Sequence, residues 1–191
     1  MATGFGLRLV GRVGGGAARV REYVGLASYG TALYVGDPVV LAATGAMDAT
    51  GQIIAVEAAA AAVAITGVIV GFDSDISNPY ITHRAASTLR KVYVCDDPDA
   101  IFEVQEDAVG AAVTQAQIGV MENADIIVAA GNAYTGLSGV MLDSSDHKTG
   151  SAQLKIIGVR RDQENAGAAT AGAILLVTIL EHSLRTADSQ G

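Results

Sequence analysis

No stretch of this chain keeps helical spacing for more than a turn or two, while short runs rich in Val and Ile recur between Gly-bearing turns. Thr31–Val35 and Val39–Ala43 flank Gly36-Asp37-Pro38, and Gln52–Val56 and Val63–Phe72 follow. Leu89–Cys95 and Ala100–Gln105 sit on either side of Asp96-Asp97-Pro98-Asp99. Further runs are Ile126–Ala130, Gly139–Leu142, Gln153–Arg160 and Ala173–Glu181. The last, AILLVTILE, is apolar at both odd and even positions, which predicts a central strand covered on both faces. A doubly wound α/β fold needs helices of about ten residues or more between strands, and none is present. The two helical candidates are Ala108–Met121, limited by Gly110 and Gly119, and the Ala-rich Glu57–Ala64, which lies between β-like runs. The pattern therefore predicts an all-β fold, a jelly-roll-like or Greek-key β-sandwich or barrel with at most one or two short helices.

Half of the 191 residues are hydrophobic and 17% are charged, enough apolar material for a sizeable core and too little charge for a disordered chain. Aromatics make up 5% and Trp is absent, so Ala and Val must fill that core. Small side chains bury little area each, and a thin core predicts that association with other chains supplies part of the stability. A net charge of −8 argues against a general nucleic-acid surface. The single cysteine, Cys95, excludes an internal disulfide framework and a Cys-rich zinc site, and reads as a small strand residue. No secretory leader is evident in residues 1–22. The most membrane-like window, Ala58–Phe72, is 15 residues long and falls short of the roughly 20 that a spanning helix needs.

Charge is unevenly distributed. Residues 1–30 hold Arg8, Arg12, Arg19 and Arg21 against the single acid Glu22, whereas Tyr23–His83 contains no Lys or Arg and five acids. This shift predicts an N-terminal arm over residues 1–30 and a body over 31–191, with a solvated N-terminal strand plus a loop as the plain alternative. The four arginines are then candidate partner-binding residues, lying on an acidic surface of this chain or of a neighbour.

The acidic segment Asp96–Asp107 raises the question of chemistry, since six carboxylates fall within twelve residues. Asp-Asp-Pro-Asp is favourable turn chemistry, and Glu103 and Gln105 alternate with Phe102 and Val104, so the expected arrangement is a hairpin tip with a wet face. A calcium site is the alternative for loop carboxylates. Acid/base work would need one carboxyl desolvated, and nothing local predicts that. Other templates fail. Asp73–Asn78 begins like an EF-hand loop but has Asn78 in place of Gly and Arg84 in place of the bidentate Glu. Gly136-Leu137-Ser138-Gly139 misses a nucleophile elbow by one residue. His83, His147 and His182 have no metal-binding spacing, and Gly14-Gly15-Gly16 lacks the Lys-Ser/Thr of a phosphate loop. No catalytic residue, metal ligand or cofactor is assigned, and the chain reads as one that works by its surface.

The segment Val92–Gly110, VYVCDDPDAIFEVQEDAVG, resembles one typical of the small structural proteins encoded beside the major capsid protein of tailed bacteriophages. So do Asn132–Ser144, NAYTGLSGVMLDS, and Leu154–Gly158 with its following polar loop and final apolar strand. The likeness covers roughly residues 30–184, in pattern more than identity. These are head decoration or cement proteins. The resemblance implies a β-sandwich, jelly-roll or β-barrel with an extended terminal arm, placed on the exterior of the virion's capsid. It further implies a homo-oligomer, a trimer rather than a dimer, clamping adjacent major capsid protein subunits, with no catalytic residue, no nucleic acid and no membrane involved. Two other readings are a small oligomeric β-fold hydrolase, with an inter-subunit acidic or metal site drawn from Asp96, Asp99, Glu103 and a histidine, and a phage tail or fibre module that binds a receptor.

Overall fold

In the computed structural model, which describes residues 4–76, 78–109, 112–161 and 172–185, the apolar runs pair into two antiparallel sheets. In chain order the strands are β1 (Arg8–Arg12), β2 (Val20–Gly25), β3 (Pro38–Leu41), β4 (Val56–Ala58), β5 (Gly67–Phe72), β6 (Arg90–Cys95), β7 (Ala100–Gln105), β8 (Asn123–Ile127), β9 (Met141–Lys148), β10 (Leu154–Val159) and β11 (Ile174–Ile179). The first sheet has the order β1-β7-β11-β10-β8-β9 and the second β2-β6-β5-β3-β4. The fold is all-β, as the turn rhythm predicts. Helix α1 is confined to Gln115–Gly119, capped by Thr114 and Gln117 in a reciprocal box. The other helical candidate begins as β4 and passes into a turn at Ala61–Ala62, so its Ala content does not make a helix between strands.

Period-two alternation places the core. Phe102 and Val104 of β7, Leu154 and Ile156 of β10, and Leu175, Val177 and Ile179 of β11 point inward and are fully buried. They meet Val68 and Cys95 from the second sheet and Ile65 from the segment just before β5. Each such side chain contributes roughly 1.5–3 kcal/mol of burial. Strand β11 is central, between β7 and β10, while its outward Ile174 and Leu176 are only half-buried, so one face is covered fully and the other in part.

The second sheet curls. Val24 of β2 donates its N–H to Ile54 O at 3.0 Å and bridges Ala55, which brings the first and last strands of this sheet together. The curl encloses a second cluster, Tyr23, Leu33, Val39, Val56, Ile69, Val92 and Val94. Arg84, which is wholly buried, lies over the Tyr29 ring that packs against this cluster.

The N-terminal segment, expected as an arm over residues 1–30, is built into the body where it is described. Strand β1 pairs with β7 and β2 with β6. Leu7 is 1% exposed in the main core. Gly6 and Gly36, both at positive φ, let the backbones approach so closely that a Cβ on Gly6 would lie 2.5 Å from Gly36 O. Arginines and glycines leave this segment readable as an arm or as a solvated strand, because edge strands carry charge on their open side. The same holds for β9, whose polar half, Ser144–Lys148, reads as a loop but pairs with β8. Residues 162–172, polar and then small between the last two apolar runs, read as a loop and lie outside the described residues except for Gly172, as do Ser77 and Gly110.

Candidate functional site

Two chain crossings between the sheets lie side by side. The link from β1 to β2 passes from the first sheet to the second, and the Asp96–Asp99 turn from β6 to β7 passes back. The pairing of β1 with β7 and β2 with β6 stacks the two crossings into one corner. Arg12, Arg19 and Arg21 flank one crossing and Asp96, Asp97 and Asp99 lie on the other, while Arg8 and Glu103 face each other farther along β1 and β7.

The contacts are specific. Arg19 Nε donates to Asp96 Oδ1 at 2.8 Å, and Arg21 Nε and Tyr23 Oη (2.7 Å) donate to Asp96 Oδ2. Arg12 Nε donates to Asp97 Oδ2 at 2.9 Å, as does the Arg19 backbone N–H at 3.1 Å, while the Asp99 N–H occupies Asp97 Oδ1. Arg8 pairs with Glu103, whose other oxygen lies 3.5 Å from Arg160, and Arg185 reaches Asp99 and Pro98 O. The expectation of a wet hairpin tip is corrected here. Asp96 is 0% exposed, Asp97 7% and Glu103 3%; only Asp99, at 49%, faces solvent. The alternation of Glu103 with Phe102 holds, but the outward side chain is covered by Arg8 and Arg160 rather than by water.

The electrostatics follow. Burial opposes ionisation of Asp96, but the hydrogen bonds from Tyr23, Arg19 and Arg21 outweigh it and hold the carboxyl below its ordinary range. Asp97 is likewise held low against burial, by the Asp99 and Arg19 N–H groups and by Arg12. Burial, with the bond to Asp96, pushes the Tyr23 phenol up to about 12. His182, 4% exposed beside this corner, is pushed down to about 4 by burial first and by Arg185 next. Saturated, anionic carboxylates are poor general acids and have few lone pairs left for a cation. Among the described residues no three His, Cys, Asp or Glu side chains converge as metal ligands would.

The remaining candidates scatter. His83 stacks on Tyr34 at 4.9 Å between centroids, and His147 lies 2.8 Å from Gln117 Nε2. Ser138 is buried and its Oγ accepts the Val140 N–H at 3.0 Å, a turn contact and not an exposed nucleophile. In the loop that begins like an EF-hand, Asp73 and Asp75 accept the N–H groups of Ser74 and Asn78. No helix among the described residues is long and apolar enough to cross a membrane.

One residue that sequence reasoning passed over stands out. The Arg84 guanidinium donates to the carbonyls of Thr88 (2.8 Å), Thr31 (2.6 Å), Tyr29 (2.9 Å) and Leu26, tying the β2–β3 connection to its own β5–β6 connection with no carboxylate partner in the set. Gly25 is required beside it, since a Cβ there would lie 2.5 Å from Arg84 Cδ. A lone Arg in a polar loop carries no sequence signal for such burial.

Large apolar side chains are exposed on two adjoining loops: Ile76 (94%), Tyr80 (91%) and Tyr134 (98%). The loops touch where Gly136 packs against Thr82 so closely that a Cβ would lie 2.2 Å from its hydroxyl. Compared with protein-family models, with curated proteins and with solved structures, the chain gives no match.

Proposed function

We propose that this chain is a structural virion protein that binds the outside of a phage capsid and cements adjacent major capsid protein subunits. The observation that carries this reading is the corner itself. The segment on which the resemblance rests, Val92–Gly110, is the one that Arg8, Arg12, Arg19 and Arg21 tie across both sheets. Buried charge pairs favour one rigid arrangement over alternatives, which suits a body that transmits load between subunits. The arginines thus serve first to lock the body, and their half-exposed guanidinium groups remain available at its surface. Ile76, Tyr80 and Tyr134 supply the anchor type that contact surfaces favour, apolar and aromatic. Repetition over a shell multiplies weak single contacts into avidity.

The test is add-back. Shells stripped of this protein are mixed with the purified chain, sedimented, and challenged by heat. Cosedimentation at a fixed ratio and a higher disruption temperature support the reading; shells that neither bind it nor gain resistance refute it.

A second reading, a tail or fibre module that binds a receptor, draws on the two exposed tyrosines, since aromatic clusters suit ligand contact. Binding of the purified chain to host cells, lost on Tyr80→Ser/Tyr134→Ser, would favour it over cementing.

A further inference from the structure

We infer that copies of this chain associate head to tail, the arginine corner of one seated against an acidic cleft of the next. This goes beyond the capsid reading and does not depend on it.

The cleft, about 450 Å3, lies under the loop between β5 and β6. Its floor and rim include Val24, Ile53, Ile81 and Leu89, with Ile76 projecting at the edge. Leu89 and Ile76 are 63% and 94% exposed, so the apolar rim is uncovered in the single chain. Asp48, Asp73 and Asp75 line the same cleft. Asp48 is firmly anionic, held at about 2 by the Thr50 hydroxyl and the Ile53 and Gln52 N–H groups. The two cations in the lining are already engaged. Arg90 donates to Asp73 O, Ile81 O and His83 O and lies over the Phe72 ring, and Lys91 pairs with Glu22 at 3.0 Å while also feeling Asp73. His83 is held neutral by burial and by Arg90. With Glu22 counted, four carboxylates face two cations.

The corner is the reverse. Among the described residues, Arg8, Arg12, Arg19, Arg21, Arg160 and Arg185 set six cations against the four carboxylates Asp96, Asp97, Asp99 and Glu103. Beside the guanidinium groups, Val13 and Val20 are exposed at 53% and 44%, and Val13 N–H bonds Asp99 O. Each patch thus combines uncovered aliphatic area with an excess of one sign, and the signs are opposite. On a chain of net charge −8, the corner is where an acidic cleft finds positive charge.

Position favours a second copy. The corner and the cleft lie at opposite ends of the same β2–β6 ladder, Val20↔Cys95 at one and Gly25↔Arg90 at the other. Six paired positions at about 3.3–3.4 Å each separate them by roughly 17 Å. Unlike patches at opposite poles make a heterologous contact, which repeats from copy to copy into a ring or a row.

Sedimentation velocity on the purified full chain tests this. The wild type forms species larger than a monomer at low salt, and these shrink as salt rises from about 0.1 to 1 M, where screening shortens from about 10 to 3 Å. Ile76→Ser/Leu89→Ser, confined to exposed side chains, removes the cleft half and yields monomer. Val13→Ser/Val20→Ser removes the corner half and does the same. Asp73→Arg, which cancels the excess negative charge of the cleft and leaves its apolar rim, also yields monomer. Mixing the cleft-broken and corner-broken variants restores one contact and stops at a dimer, which also shows that both are folded. A wild type that stays monomeric at high micromolar concentration, a cleft variant that assembles as wild type does, or a mixture that yields no dimer overturns the inference.

Discussion

Replacing Asp96 by Asn removes the charge at the centre of the corner while keeping its shape. Asp96 accepts from Arg19, Arg21 and Tyr23 and is fully buried. Bonds to a charged group contribute roughly 1.5–3 kcal/mol each, and a neutral replacement about 0.5–1.5. Asn can still accept on one oxygen, but its NH2 group confronts a guanidinium donor, so about two of the three bonds are lost or weakened. Against this, the neutral amide is spared the several kcal/mol cost of burying a carboxylate. The balance is a net loss of about 2–4 kcal/mol, read as a lower urea midpoint at unchanged slope. A second readout isolates the cause: the Tyr23 phenol, pushed up to about 12 with the bond to Asp96 as its second cause, titrates at lower pH in the variant. A stability change under about 0.5 kcal/mol together with an unmoved Tyr23 titration would refute the view that this carboxylate holds the crossings together.

Other outcomes follow from the same contacts. Arg84→Met strips the donor from four loop carbonyls and lowers stability by about 3–5 kcal/mol, with Arg84→Lys falling between, both read by urea unfolding. His182 titrates near 4 when folded against about 6.5 unfolded, so the unfolded chain binds more protons between those values. Its contribution is full above about pH 6.5 and falls by roughly 3 kcal/mol as pH drops to 4, a slope that His182→Gln flattens in pH-resolved melting. Asp96 and Asp97, also held low, extend the loss below the ordinary carboxylate range. Because guanidinium groups occupy the corner's carboxylates, millimolar calcium or a chelator leaves the melting temperature unmoved; a calcium-dependent rise would contradict that assignment.

Most strands were legible because their side chains carry the period themselves. Phe102 and Val104 against Glu103, or the Val and Ile of β5, are local signals. The N-terminal segment stayed open between an arm and a strand for the opposite reason. Whether Arg8 lies on an edge strand or trails in solvent depends on Glu103, 95 positions away. The acidic turn shows the same limit. Asp-Asp-Pro-Asp dictates a turn, which is present, but its burial rests on Arg12, Arg19 and Arg21, each more than seventy positions distant. Arg84 was least legible, since its four partners are backbone carbonyls that any residue type supplies.

The proposal that this chain acts by shape-matched contact on a capsid is tested most directly by a reconstruction of the particle that carries it, even at low resolution. It predicts density for this fold on the outer surface, bridging neighbouring major capsid protein subunits. Density confined to the tail, or a particle indistinguishable with and without the chain, would contradict it.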